Sequence, residues 1–124
     1  MVRVVQQRAA GDCGVAALST LLSARAIDYE TVAATAPRGG QTGLRTRELV
    51  ATARRLGFTL TPVRAYDLDV DCGVLRVHSH DHHRDGHMVA VRYGLIWDPH
   101  DGTAMPWREY AMRYGARFGM LARA

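Results

Sequence analysis

The chain contains no lysine and no asparagine. Without lysine there is no lysine nucleophile, no Schiff-base amine and no phosphate-loop lysine. Without asparagine, a Cys-His pair has only a carboxylate or a glutamine to orient it. Cysteine is scarce too: Cys13 and Cys72 are too few for a disulfide framework, and in a reducing compartment free thiols are read first as packing or chemistry. No stretch approaches the ~18 continuous apolar residues of a membrane span. The opening MVRVVQQRAAGDCG has no apolar core of signal-peptide length. The expectation is a protein without a membrane segment, located in the cytoplasm.

What is present points to one compact core. At 124 residues and 48% hydrophobic, the chain is long enough for one domain, 1–124, and too short for two ordinary ones. The formal charge is +4, but the basic residues are spread from Arg3 to Arg123, with Arg54-Arg55 as the only adjacent pair. A nucleic-acid protein concentrates its cations on one stripe with aromatic or glycine-rich interleaving, so no nucleic-acid partner is expected. The arginine-only basic set and high alanine content suggest a GC-rich genome, bacterial or phage.

After an extended start at Val2–Val5, Val15, Leu18, Leu21 and Leu22 recur at helical spacing between Asp12 and Arg25, with Asp12 as the expected N-cap. Asp28 is suited to cap a second helix that Pro37 stops. Residues 38–43 read as a loop. A third helix spans about Thr46–Leu56, with Leu49, Val50, Ala53 and Leu56 on one face and Gly57 as its stop. From Phe58 the period shortens to strands: Phe58–Arg64, Val74–Val77, His87–Tyr93 and Leu95–Asp98, the last two paired through a turn at Tyr93-Gly94. Pro106 then opens a helix to about Tyr114, Gly115 ends it, and Arg117–Leu121 forms a final strand. Helices followed by a run of strands predict an α+β fold with an antiparallel sheet.

Cys13 falls in the first helical turn, where unpaired N–H groups and the helix dipole favour thiolate over thiol. The same N–H groups suit an oxyanion, each such donor being worth ~3 kcal/mol, and Gln7, six residues upstream, can add a side-chain N–H. His87 opens one predicted strand and Asp98 closes the next, so the spacing permits a carboxylate–imidazole pair at one end of the sheet. Each residue also has a plainer reading: a small buried cysteine, a strand histidine bonded to a carbonyl, an Asp-Pro that ends a strand. Asp71-Cys72-Gly73 repeats Asp12-Cys13-Gly14 but leads into a strand, so Cys72 is expected to be structural. The run His78-Ser79-His80-Asp81-His82-His83-Arg84-Asp85-Gly86-His87 has ligand-like chemistry but lacks a spaced partner pair elsewhere, so no resident metal or other cofactor is expected.

The segment Gln7-Arg8-Ala9-Ala10-Gly11-Asp12-Cys13-Gly14-Val15-Ala16-Ala17-Leu18 resembles the first motif of the bacteriocin-processing (double-glycine leader) cysteine peptidases, papain-like domains of peptide-exporting ABC transporters that also occur as standalone proteins. Thr42-Gly43-Leu44 with Leu49 to Phe58, His87-Met88-Val89-Ala90-Val91, and Ile96-Trp97-Asp98-Pro99 with Gly102 resemble later blocks in the same order. The resemblance implies a papain-like fold with Cys13 as nucleophile, His87 as base, Asp98 as its orienting carboxylate and Gln7 in the oxyanion hole, acting on a peptide or protein. The chain shows no transporter segment, so a leader substrate does not follow. Two alternatives remain open at this point: a glutamine deamidase or transglutaminase using the same thioester, and a papain-like binding or adaptor module without turnover. A metal-binding regulator built on the histidine run is a third.

Overall fold

The computed structural model describes residues 2–80, 84 and 86–124. The helical half comes first: α1 (Cys13–Leu22), continued by a 3-10 turn at Ser23–Arg25, then α2 (Tyr29–Thr35), a second 3-10 turn at Pro37–Gly40, and α3 (Thr46–Arg55). The other half is β1 (Thr61–Val63), β2 (Gly73–His78), β3 (His87–Arg92), β4 (Leu95–Asp98), β5 (Thr103–Pro106), α4 (Trp107–Tyr114) and β6 (Arg117–Arg123). The strands form one sheet in the order β1-β6-β2-β3-β4-β5, with every neighbouring pair antiparallel. This is the predicted α+β architecture.

Alternation along the strands sends side chains to two layers. Val74, Met88 and Ala122 join the cluster made by α1–α3, while Leu75, Val77, Val89, Val91, Ile96 and Leu121 join Tyr110 of α4 in a second cluster. Helix α1 is buried from Gly14 through Leu22 because it is apolar on nearly every side. Its Ser19 and Thr20 hydroxyls bond back to the carbonyls of Val15 and Ala16, at 2.7 and 2.9 Å. α3 is amphipathic: Leu49 and Ala53 are buried, Val50 and Leu56 pack beside them, and Arg54 and Arg55 lie in the last turn, where positive charge complements the dipole.

Three expectations need correction. Asp12 does not cap α1 through its side chain. Its buried carboxylate turns back to accept the N–H groups of Arg8 and Ala9, at 2.8 and 3.1 Å, and the Tyr29 hydroxyl. The strand expected over Phe58–Arg64 pairs only at Thr61–Val63, because Phe58 belongs to the α3 terminus, its N–H bonded to Ala53. The loop after Pro37 contains a 3-10 turn, and β5 was not foreseen at all, since Thr103–Pro106 is short and ends on a proline. By contrast, Asp28 caps α2 through Thr31 N–H at 2.9 Å, and Gly115 ends α4 in the left-handed conformation, as the sequence leads one to expect.

Candidate active site

The site is assembled where α1 begins and where β3 and β4 have their open ends. The first bond of the α1 ladder runs from Ala16 N–H to Asp12 C=O at 3.0 Å, so the amides of Cys13, Gly14 and Val15 precede it. With the Asp12 carboxylate directed elsewhere, it caps none of these donors, and the first of them belongs to the half-buried Cys13. The extended N-terminal segment lies beside α1, with Val5 N–H on Thr20 Oγ1 at 2.8 Å. It is tied to the far end of β4 by Gln7 N–H on Pro99 C=O at 2.7 Å. That bond brings Gln7 and Asp98 to the same rim.

His87 and Asp98 meet across the β3–β4 pair. His87 Nε2 lies 2.6 Å from Asp98 Oδ1, both side chains being almost wholly buried. The carboxylate occupies Nε2, which leaves Nδ1 as the other ring nitrogen, and His87 and the Cys13 side chain act on each other's ionisation. Asp98 is held from three further sides: Oδ1 accepts His100 N–H at 2.9 Å, while Oδ2 accepts the Tyr110 hydroxyl at 2.6 Å and Arg84 Nε at 3.1 Å. Arg84 is itself buried, stacks on Tyr114 at 3.8 Å and reaches Asp101 Oδ2 at 2.8 Å.

The charges follow this geometry. Burial acts to raise the Cys13 thiol, but the His87 hydrogen bond and charge, the Met88 N–H and the Arg76 charge outweigh it and draw the thiol below its ordinary value. Burial acts to lower His87, yet the bonds to Asp98 and Cys13 and their charges push it up to about 9. Burial acts to raise Asp98, but the bond and charge of His87, the Tyr110 hydroxyl and the His100 N–H hold it well below the usual carboxylate range. The three groups together favour a thiolate–imidazolium pair with an ionised carboxylate behind it.

Gln7 Nε2 donates to Ala9 C=O at 2.8 Å, and Gln7 Oε1 is buried with no hydrogen-bond partner among the described residues. A primary amide nitrogen has two hydrogens. One is fixed by Ala9, which orients the other. Gln7 lines a cavity of about 530 Å³ together with Ala9, Gly11, His87 and His100. A second cavity of about 860 Å³, bordered by Leu44, Arg45, Arg76 and Met88, lies on the other side. Cys13 borders both, as do Thr42, Gly43 and Gly86, so the two form one groove passing over Cys13.

No protein-family model matches the chain, and no curated protein matches it. Solved structures do match over nearly its whole length. The peptidase domain of Streptococcus ComA, a bi-functional ABC transporter involved in a quorum-sensing pathway, is 18% identical with a TM-score of 0.61, and 98% of each chain is covered. A double-glycine-motif protease from an AMS/PCAT transporter, solved in complex with the leader peptide, is 20% identical with a TM-score of 0.64, covering 98% of this chain and 92% of that one. The chain has the fold of these peptidase domains.

Within that peptidase fold the structure brings all four sequence-nominated residues, Cys13, His87, Asp98 and Gln7, to one rim. Cys72 stands apart, ahead of β2, its carbonyl accepting Ala124 N–H at 2.8 Å. Of the histidine run, Asp81, His82, His83 and Asp85 lie outside the described residues; among the described ones no group of three or more His, Cys, Asp or Glu side chains is placed to hold a metal ion. Sequence reasoning missed Arg84, Tyr110 and Arg76. Tyr110 is visible as part of an apolar stripe with Trp107 and Tyr114, but nothing in that spacing says its hydroxyl ends on Asp98. Among the described residues no helix is long and apolar enough to cross a membrane.

Proposed function

We propose that the chain is a papain-like cysteine peptidase that hydrolyses a peptide or isopeptide bond through a thioester on Cys13. The observation that carries this reading is the His87 imidazole, bonded to the buried Asp98 carboxylate through Nε2 and lining the same cavity as Cys13. The Cys13 thiolate attacks the carbonyl carbon, and the carbonyl π pair moves onto oxygen. The N–H of Cys13 and the second N–H of Gln7 receive the oxyanion. When the carbonyl re-forms, the C–N bond breaks and the amine leaves with the proton of the His87 imidazolium. A water then gives its proton to His87 and attacks the thioester; collapse releases the acid and returns the thiolate. His87 and His100 border the Gln7 side of the groove, so the leaving amine departs there and the acyl portion lies along Leu44, Arg45 and Arg76. The substrate is a peptide or protein, met in a reducing, cytoplasmic setting that keeps both cysteines free.

The test is site-resolved alkylation by iodoacetamide as a function of pH, in wild type and His87→Ala, together with mass-spectrometric screening of a peptide library. The expected result is that Cys13 reacts well below the pH at which Cys72 does, that His87→Ala abolishes the advantage, and that peptides are cleaved with Cys13 dependence. Release of ammonia without chain cleavage would move the assignment to a glutamine deamidase. A Cys13 no more reactive than Cys72 would leave a binding scaffold.

A further inference from the structure

Arg76 is placed on β2 between Leu75 and Val77, with side-chain parity that turns it to the α1–α3 layer alongside Val74. Its guanidinium donates through Nη1 to Gly86 C=O and through Nη2 to Leu44 C=O, each at 3.0 Å. These carbonyls stand on different walls of the acyl-side cavity, which Arg76 also lines. Leu44 follows Thr42-Gly43 and leads into α3, whereas Gly86 immediately precedes His87. The planar fork of a guanidinium can bond two separate acceptors at once in fixed geometry, which a lysine ammonium does not reproduce. Both acceptors are neutral, so these bonds hold the side chain without cancelling its charge.

We propose that Arg76 is a positioning residue: by bridging the Leu44 and Gly86 carbonyls it sets the width of the acyl-side cleft, seats His87 against Cys13 and keeps a positive charge beside the nucleophile. The inference rests on the peptidase reading and extends it, since neither the triad nor the oxyanion hole calls for this residue. Two functions are separable in it. The charge acts on Cys13, in keeping with the direction in which its thiol is drawn. The fork acts on the two backbone segments.

The experiment compares wild type, Arg76→Met and Arg76→Lys by pH-dependent iodoacetamide labelling of Cys13 and by amide hydrogen exchange of residues 42–45 and 86–88. Arg76→Met is expected to move the labelling midpoint upward by about half a pH unit, slowing the reaction about threefold at pH values well below the midpoint, and to speed exchange in both segments. Arg76→Lys is expected to move the midpoint upward less than Arg76→Met does, because the charge stays while the seating of His87 loosens, and exchange in both segments rises by about tenfold as the fork is lost. Wild-type exchange in Arg76→Lys overturns the clamp even if the methionine variant does not fold, and an unmoved midpoint in folded Arg76→Met overturns the charge role. A wild-type Cys13 no faster than Cys72 removes the peptidase reading first, and this inference with it.

Discussion

The Tyr110 hydroxyl donates at 2.6 Å to Asp98 Oδ2, the oxygen opposite the one that holds His87. Tyr110 is fully buried in the α4-side cluster, so the carboxylate behind the imidazole is anchored from the interior of the fold. Tyr110→Phe removes one charge-assisted bond and leaves the ring packing intact. It is expected to lower stability by about 1.5–3 kcal/mol, read as a shift of the urea midpoint. With one donor gone, the Asp98 charge bears more strongly on His87, so the alkaline limb of the activity profile should move upward. A profile and midpoint equal to wild type would show that Arg84 and the His100 N–H hold Asp98 without it.

The pH dependence of turnover follows from the two partners of Asp98 and Cys13. On the proposed mechanism acylation uses the thiolate and the imidazolium together, so kcat/KM should rise as pH climbs through the lowered Cys13 value and fall as pH passes His87, near 9. Stability carries its own signature. His87 is raised from its ordinary 6.5 to about 9, so its contribution is complete below 6.5 and is lost as pH rises through about 9. Asp98 is depressed, so its contribution is present above the ordinary carboxylate value of 3.8 and is lost as pH falls toward its low folded value. The stability difference between wild type and His87→Ala, from urea unfolding at several pH values, should therefore be largest between 3.8 and 6.5 and shrink toward 9.

Gln7→Ala separates the oxyanion hole from the nucleophile. It should lower kcat by about a hundredfold with little change in KM. The rate and pH midpoint of Cys13 alkylation should stay as in wild type, since Gln7 touches neither sulfur nor imidazole among its bonds to Ala9 and Pro99. A parallel loss of alkylation would mean that Gln7 instead shapes the α1 entrance.

Gly11 is required by close approach. A Cβ there would stand 2.0 Å from the Gln41 carbonyl oxygen, while the Gly11 carbonyl accepts Gly43 N–H at 2.8 Å. Gly11→Ala should push the 41–43 segment outward and open the groove wall that borders Cys13. The expected cost is about 1–3 kcal/mol, together with a raised KM; wild-type KM with wild-type stability would place the contact outside the working groove.

The architecture was legible where one-dimensional periodicity coincides with burial. Leu49 and Ala53 on α3, the Tyr93-Gly94 turn between β3 and β4, and the stop at Gly115 follow from local chemistry that needs no distant partner. Cys13, His87, Asp98 and Gln7 were legible as residue types in a familiar order, and His87 with Asp98 as neighbours because a hairpin carries its own register. Arg84, Tyr110 and Arg76 were not. Their roles depend on contacts 10 to 32 positions away along the chain, made by side chains whose local spacing fits a turn, an apolar stripe and an ordinary strand equally well. Asp12 misled for a related reason: a carboxylate ahead of a helix is a cap by default, and only the approach of Tyr29 and the 8–9 turn diverts it.

The sheet divides the molecule into two apolar halves, with Cys13 packed on the α1–α3 side and Tyr110, which braces Asp98, on the α4 side. The reactive pair thus straddles a seam. A chain with only the α1–α3 layer docked would have Cys13 in place without the Tyr110 brace on Asp98. The low-pH reactivity of Cys13 is therefore a gauge of assembly: during refolding it should reach its native pH midpoint only when the α4 layer has docked behind Asp98.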